Sequence, residues 1–295
     1  MSTTTGELAP PERAAPADRH EPGRNRAEAR WLLWPPLAFF VVALGVPLAA
    51  LVIRALDNET GDNSFAAALT MPVFLDSLAR TVVMALVVTA LTVLLGTVYA
   101  TAVAVSPGWL KFLLVAALLL SLWTSIMVRT FGWMLLELPR GAIFWLGDLL
   151  GLMDEPLGVY QTALAMYPAM VAVMLPFAVL PIASALAAID REQLNAAAVF
   201  GSGPLLTFRA VIRPAITPAM ISGGVLVFVM ALGFYVTPLL LGGPTNMTVS
   251  GIISGQLRTA GRPDLGAAMS ILLVGGTIAI YLVADRLFKV SEKWG

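Results

Sequence analysis

Cysteine is absent from the 295-residue chain, and histidine occurs once, as His20. Without a thiol there is no disulfide, no thiolate metal site and no cysteine nucleophile. One histidine in a polar N-terminal stretch supplies neither a His-based triad nor a histidine metal cluster, so no metal or cofactor is implied. Charge is also scarce: Asp, Glu, Lys and Arg make up 12% of the residues, and the formal net charge is zero. Soluble chains carry about 25% charged residues, and so few would not keep a soluble body of this size dispersed. A neutral chain also implies no nucleic acid or other polyanion as partner.

What the sequence has instead is apolar length. Hydrophobic residues make up 58% of it and the mean hydropathy is +0.85, which marks an all-α integral membrane protein. Residues 1–30 are rich in Pro, Ala, Arg and Glu without an apolar period and read as a disordered tail. The uncharged run Trp31–Ile53 is 23 residues long. That exceeds a signal-peptide h-region of roughly 7–15 residues and suffices to cross a hydrocarbon core about 30 Å thick. Further spans are expected at Thr81–Val105, Leu114–Leu136, Thr162–Ile189, Pro214–Leu241 and Leu265–Ala284. Pro168, Pro176 and Pro181 suggest bends in the fourth. The piece Met247–Leu257 is too short to cross and reads as interfacial or re-entrant. Ala142–Met153, apolar but for Asp148, fits a helix lying along the membrane surface.

Six spans place both termini on one side. With the N-terminus inside, cytoplasmic segments hold twelve basic residues and outer segments six, so the positive-inside rule puts both termini in the cytoplasm. The outer loops are then acidic, with Asp57, Glu59, Asp62, Asp76, Glu137, Asp148, Asp154 and Glu155. These are either ordinary solvated charges or a rim that attracts a cationic solute or faces a partner. Arg129 falls near the outer end of the third span, where it serves as a lipid anchor, a structural pairing or a gate.

Between the fourth and fifth spans lies a polar island, Asp190–Pro214, which the same topology places in the cytoplasm. Ala196, Ala197 and Ala198 favour helix, and Gly201 ends or bends it. Pro204 suits the first turn of a second short helix. Small residues admit another protein close to the backbone, and Phe200, Leu205, Leu206 and Phe208 offer apolar contact. On these grounds alone the island is either a plain connector or a docking surface.

Its spacing resembles the EAA motif, E-A-A-x3-G-x9-I-x-L-P, of permease subunits of ABC-type importers. Asn195, Ala196 and Ala197 occupy the E-A-A positions, Gly201 the glycine, Val211 the isoleucine and Pro214 the proline. Asn195 in place of the acid cannot form an ion pair, and Arg213 replaces an apolar residue. Three further segments resemble the spermidine/putrescine-type group: Leu122–Met134, Leu175–Pro181 and Leu232–Pro244. The likeness covers residues 31–295 and implies the type I ABC importer permease fold, six transmembrane helices with a cytoplasmic coupling helix between the fourth and fifth. It also implies a second permease subunit, two ATP-binding cassette ATPase subunits on the cytoplasmic loops, and a periplasmic or lipid-anchored solute-binding protein. Trp123, Trp133, Phe234 and Tyr235 sit where related permeases line the translocation path, although aromatics in spans also serve as packing or interface anchors. Related permeases often carry an acid near Gly233–Tyr235 and this chain has none there, so the resemblance does not fix the cargo as a polyamine. The chain lacks a G-x-x-x-x-G-K-[ST] loop and is not expected to hydrolyse ATP itself. A self-contained secondary transporter or channel, the competing class, would show ionisable coupling residues within its spans.

Overall fold

The computed structural model describes residues 25–57, 63–156, 158–258 and 261–288, and among these there is no β-strand. Most of the expected tail therefore lies outside the described residues. The helices, in chain order, are α1 (Asn25–Leu56), α2 (Ser64–Thr70), α3 (Pro72–Val105), α4 (Gly108–Trp123), α5 (Ile126–Glu137), α6 (Ala142–Leu149) and α7 (Ala163–Ala187). They continue as α8 (Arg191–Val199), α9 (Pro204–Thr207), α10 (Arg213–Leu232), α11 (Val236–Leu241), α12 (Val249–Arg258) and α13 (Pro263–Phe288). Five helical stretches are long and apolar enough to cross a membrane, and six if the bent pair that starts with α4 counts as one span.

The chain divides into two units at Ala50 and Leu51. The first contains most of α1, whose described side chains up to Ala50 are all exposed. In the second, α3, α7 and α10 enclose the principal core. Met84, Ala85 and Val88 of α3 meet Met166, Met170, Met174 and Ala178 of α7, with Val227 and Ala231 of α10 and Leu241 of α11. Between apolar helices in lipid there is no solvent-driven attraction, so close approach through small residues has to supply the packing. A Cβ on Gly96 would stand 3.0 Å from the Cβ of Ala178, and one on Gly224 would stand 3.3 Å from Cγ2 of Val93. Gly223 lies against α7, where a Cβ would be 3.3 Å from Cγ of Pro181 and 3.5 Å from the carbonyl oxygen of Phe177. Pro181 has no N–H to give that carbonyl, and α7 nonetheless runs as one helix through all three of its prolines.

The third span differs from its expectation. Instead of one helix over Leu114–Leu136, the chain breaks between Trp123 and Ile126 and turns by 105°. The cause is local. Thr124 and Ser125 adopt extended ψ values of 133° and 136°, and the Thr124 hydroxyl donates to the carbonyl of Leu120 at 2.7 Å. The same bond at Thr97 and Thr101 leaves α3 unbroken, so the extended backbone of Thr124 and Ser125 carries the turn. Arg129 then donates from Nη1 to Oγ of Ser121 at 3.0 Å, bridging the break from α5 to α4. The fifth span departs too: α10 stops at Leu232, Gly233 to Tyr235 are non-helical, and only the short α11 reaches Leu241.

The short piece after Gly242–Asn246 is indeed too brief to cross: α12 has ten residues. Its start is tied to α3, because the Val249 amide donates to Oγ1 of Thr81 at 2.9 Å and Arg80 donates to the carbonyl of Met247 at 3.1 Å. Val249 and Ile253 pack with Phe74 of α3 and with Leu265 and Met269 of α13. At the head of α13, Asp264 accepts from Ser64 of α2 and from Arg262.

Candidate docking segment and translocation path

The segment from Asp190 to Pro214 forms two short helices for reasons visible in its residues. Asp190 caps the first, its side chain accepting from the amide of Glu192 at 2.9 Å. The helix ends at Gly201, which sits in the left-handed region at φ +70°. There the Ser202 amide donates to the carbonyl of Ala197 at 3.0 Å, the six-to-one bond of a Schellman end. Pro204 opens α9, as its fixed φ and missing donor favour. A π turn at Phe208–Ile212 then joins α9 to α10. Pro214 follows one residue later, after Arg213, and a wider turn relieves the clash its ring would make with the carbonyl four residues back.

This segment buries little of its own apolar surface. Val199 and Phe200 are exposed at 85% and 87%, and Leu205 and Leu206 are exposed beside them. Asn195, Ala196, Gly201 and Pro214 are exposed, while Ala197 and Val211 are half-buried. The motif positions therefore lie, exposed or half-buried, along the stretch from α8 to the first turn of α10.

The four aromatic candidates separate into three settings. Trp133 of α5 and Phe234 both pack against the α3–α7–α10 core. Trp123, at the break of the third span, is 85% exposed and joins neither that core nor the cavity described next. Tyr235 lines a cavity of about 410 Å³ between the break after α10, α12 and α13, and its hydroxyl accepts from Oγ of Ser254 at 3.2 Å. The remaining polar wall of that cavity is Ser250, Arg258 and Ser270. Sequence reasoning did not single these out, although Ser250, Ser254 and Arg258 recur at every fourth position and so share one face of α12. A second polar link, a 3.0 Å hydrogen bond between the buried hydroxyls of Thr130 and Thr237, fastens α5 to α11.

Broken spans around a bundle core, with a short helix pair between two of them, are the architecture of a multi-span membrane protein. Comparison with known proteins gives the family. The chain is 30% identical over 241 residues to the spermidine/putrescine transport system permease protein PotB of Escherichia coli (strain K12), covering 81% of this chain and 85% of that protein. It is 29% identical over 229 residues to the inner membrane ABC transporter permease protein YdcU of the same organism, covering 73% and 72%. Among solved structures, a chain of the bacterial alginate ABC transporter in complex with alginate pentasaccharide-bound periplasmic protein shares the fold, with a TM-score of 0.74. Its identity is 17%, over 88% of this chain and 94% of that one. No family model matches the chain. The chain belongs to the permease subunits of ABC-type importers, in the spermidine/putrescine-type group, and is a multi-pass inner-membrane protein.

Proposed function

We propose that this subunit pairs with a second permease subunit to line a path for a small organic solute, delivered at the outer face by a solute-binding protein. ATP is hydrolysed by separate ATPase subunits that dock on Asp190–Pro214, with Ala196, Ala197, Gly201 and the flanking apolar residues as the contact. Both termini are cytoplasmic, in keeping with the twelve-to-six bias of basic residues. The cargo is polyamine-like or another small organic solute; polyamines are what the names of several relatives state. Trp123, Trp133, Phe234 and Tyr235 are candidates for the path lining, and Gly233 with Pro238 gives the fifth span a place to bend during alternating access.

The observation that carries this reading is the exposed apolar helix pair whose glycine, at φ +70°, falls at the motif position. An isolated subunit would gain nothing from leaving Val199, Phe200, Leu205 and Leu206 uncovered, whereas a partner docking there would bury them. The test is ATP-driven uptake in proteoliposomes containing both permease subunits and the ATPase, with the binding protein outside. Uptake that requires ATP and is lost in Gly201→Val supports the reading. ATP-independent uptake by this chain alone would falsify it.

A further inference from the structure

We propose that the cavity at Gly233–Tyr235 is a solute subsite that takes a small carboxylate-bearing organic solute, with Arg258 as the charge partner and the hydroxyls of Tyr235 and Ser250 as orienting donors. The inference rests on the importer reading and narrows its cargo.

The cavity stands apart from a larger one elsewhere in the molecule. That one, about 680 Å³ against α3, α10 and α13, is lined by residues such as Leu86, Val93, Phe228 and Ile280 and offers almost nothing polar. The cavity of about 410 Å³ is lined by four hydroxyl-bearing residues and by the exposed Arg258, and its volume lies within the range of roughly 300–1,000 Å³ usual for small-molecule sites. Its position is also unusual for a packing defect. Irregular backbone at membrane depth persists where it is buried in protein or lines a cavity, and broken spans are where transporters place their solutes. Here the non-helical stretch Gly233–Tyr235 contributes Gly233 and Tyr235 to the wall.

The charge of the wall chooses the ligand. Among the described residues no acid lines it, so Arg258 has no neutralising neighbour among them within the cavity. Asp264, the acid closest to it in sequence, is engaged by Arg262 and Ser64. A guanidinium presents a planar fork of donors that matches a carboxylate, and the hydroxyls of Tyr235 and Ser250 can donate to its remaining oxygens, whereas Ser254 already donates to Tyr235 and Ser270 to the carbonyl of Gly266. A diamine would meet a like charge and find no carboxylate to replace its water. Ser250 and Arg258 stand on α12 and Tyr235 at the break after α10, so a solute can be held from two elements, with Ser270, Leu273 and Val274 of α13 completing the wall.

The natural absence of cysteine makes the test direct. The complete importer, with Ser254→Cys in this chain, is held in lipid nanodiscs, and the rate of maleimide attachment to this chain is measured. Succinate, 4-aminobutyrate and putrescine, matched in chain length, are added in turn. Succinate and 4-aminobutyrate should slow labelling and putrescine should not. Arg258→Gln should weaken that protection by about tenfold or more, the usual consequence of losing a charge-assisted hydrogen bond. Ser270→Cys provides a second reporter if Ser254→Cys does not assemble. Protection by putrescine equal to that by succinate, no protection by either carboxylate, or protection indifferent to Arg258→Gln overturns the proposal. Retention of the ATPase subunits on the same particles reports separately on the importer assignment. If they are retained without carboxylate protection, the subsite alone is wrong; if they do not assemble, the importer reading fails whatever the labelling shows.

Discussion

The α3–α7–α10 core and the Asp190–Pro214 segment are joined end to end in the chain, yet they use small residues for opposite purposes. In the core, Gly96, Gly223 and Gly224 are small because a helix of the same protein already occupies the space next to them. In the segment, Ala196 and Gly201 are small with nothing against them: a Cβ on Gly201 would meet no atom within 4 Å. The first arrangement is complete within this chain. The second makes sense as half of a contact. With small residues open beside exposed Phe200 and Leu205, the proposed function assigns the missing half to another molecule.

Substitutions that fill the small positions separate the two most sharply. Leucine at Gly96 or Gly223 has to displace α7, and overpacking of this kind costs about 1–3 kcal/mol or more. Both variants should lower the thermal unfolding temperature and the yield of monodisperse protein in detergent. Normal stability of Gly96→Leu would show that α3 and α7 are not held as closely as the core requires.

Gly201→Val should act differently. A β-branched residue at φ +70° is strained by about 1–2 kcal/mol, but the strain is confined to an exposed helix end. The bundle should therefore keep its unfolding temperature while ATPase retention during purification falls. An equal loss of stability in Gly201→Val and Gly96→Leu would erase the distinction between the two regions. Phe200→Ala is the milder probe of the same surface. It removes an 87% exposed ring, so stability should be unchanged and the affinity for the ATPase subunit weakened, by about tenfold if the ring is an interface anchor.

The smallest effect belongs to the Thr130–Thr237 bond. Thr130→Val leaves the Thr237 hydroxyl buried without this partner at a cost of about 1 kcal/mol. The double variant with Thr237→Val should recover part of that loss, because neither hydroxyl is then left unpaired. A strictly additive double-mutant cycle in the unfolding free energies would show that the two do not interact.

How much of this was legible in the sequence depended on the range of the signal. Long uncharged runs marked the spans of α3, α7 and α13, since an apolar run is a local property that the bilayer reads directly. Gly201 and Pro204 likewise marked a helix end and a helix start by local backbone chemistry. The break of the third span was missed because Thr124 and Ser125 are two ordinary polar residues in a run that is otherwise apolar on both sides. The early stop at Leu232 was only half visible: Gly233 and Pro238 are residue types at which a helix bends, but neither says that the helix would end. The cavity was beyond reach. It needs Tyr235, Ser254 and Ser270 to meet from three separate elements, and no local pattern encodes the packing of α12 on α13. Two of the four aromatic candidates, Trp133 and Phe234, lie on the core, which a sequence without contacts could not separate from the cavity.

The most direct measurement of the central claim uses one added thiol. With Ala196→Cys as the sole cysteine of this chain, the assembled complex is treated with a short homobifunctional maleimide after a cysteine is placed on the transmembrane-facing surface of the ATPase subunit. A cross-linked product of this chain with the ATPase, absent when the cysteine is instead at Trp123, is the result expected. A product formed equally from both positions, or from neither while the complex stays intact, would contradict the assignment of Asp190–Pro214 as the docking segment.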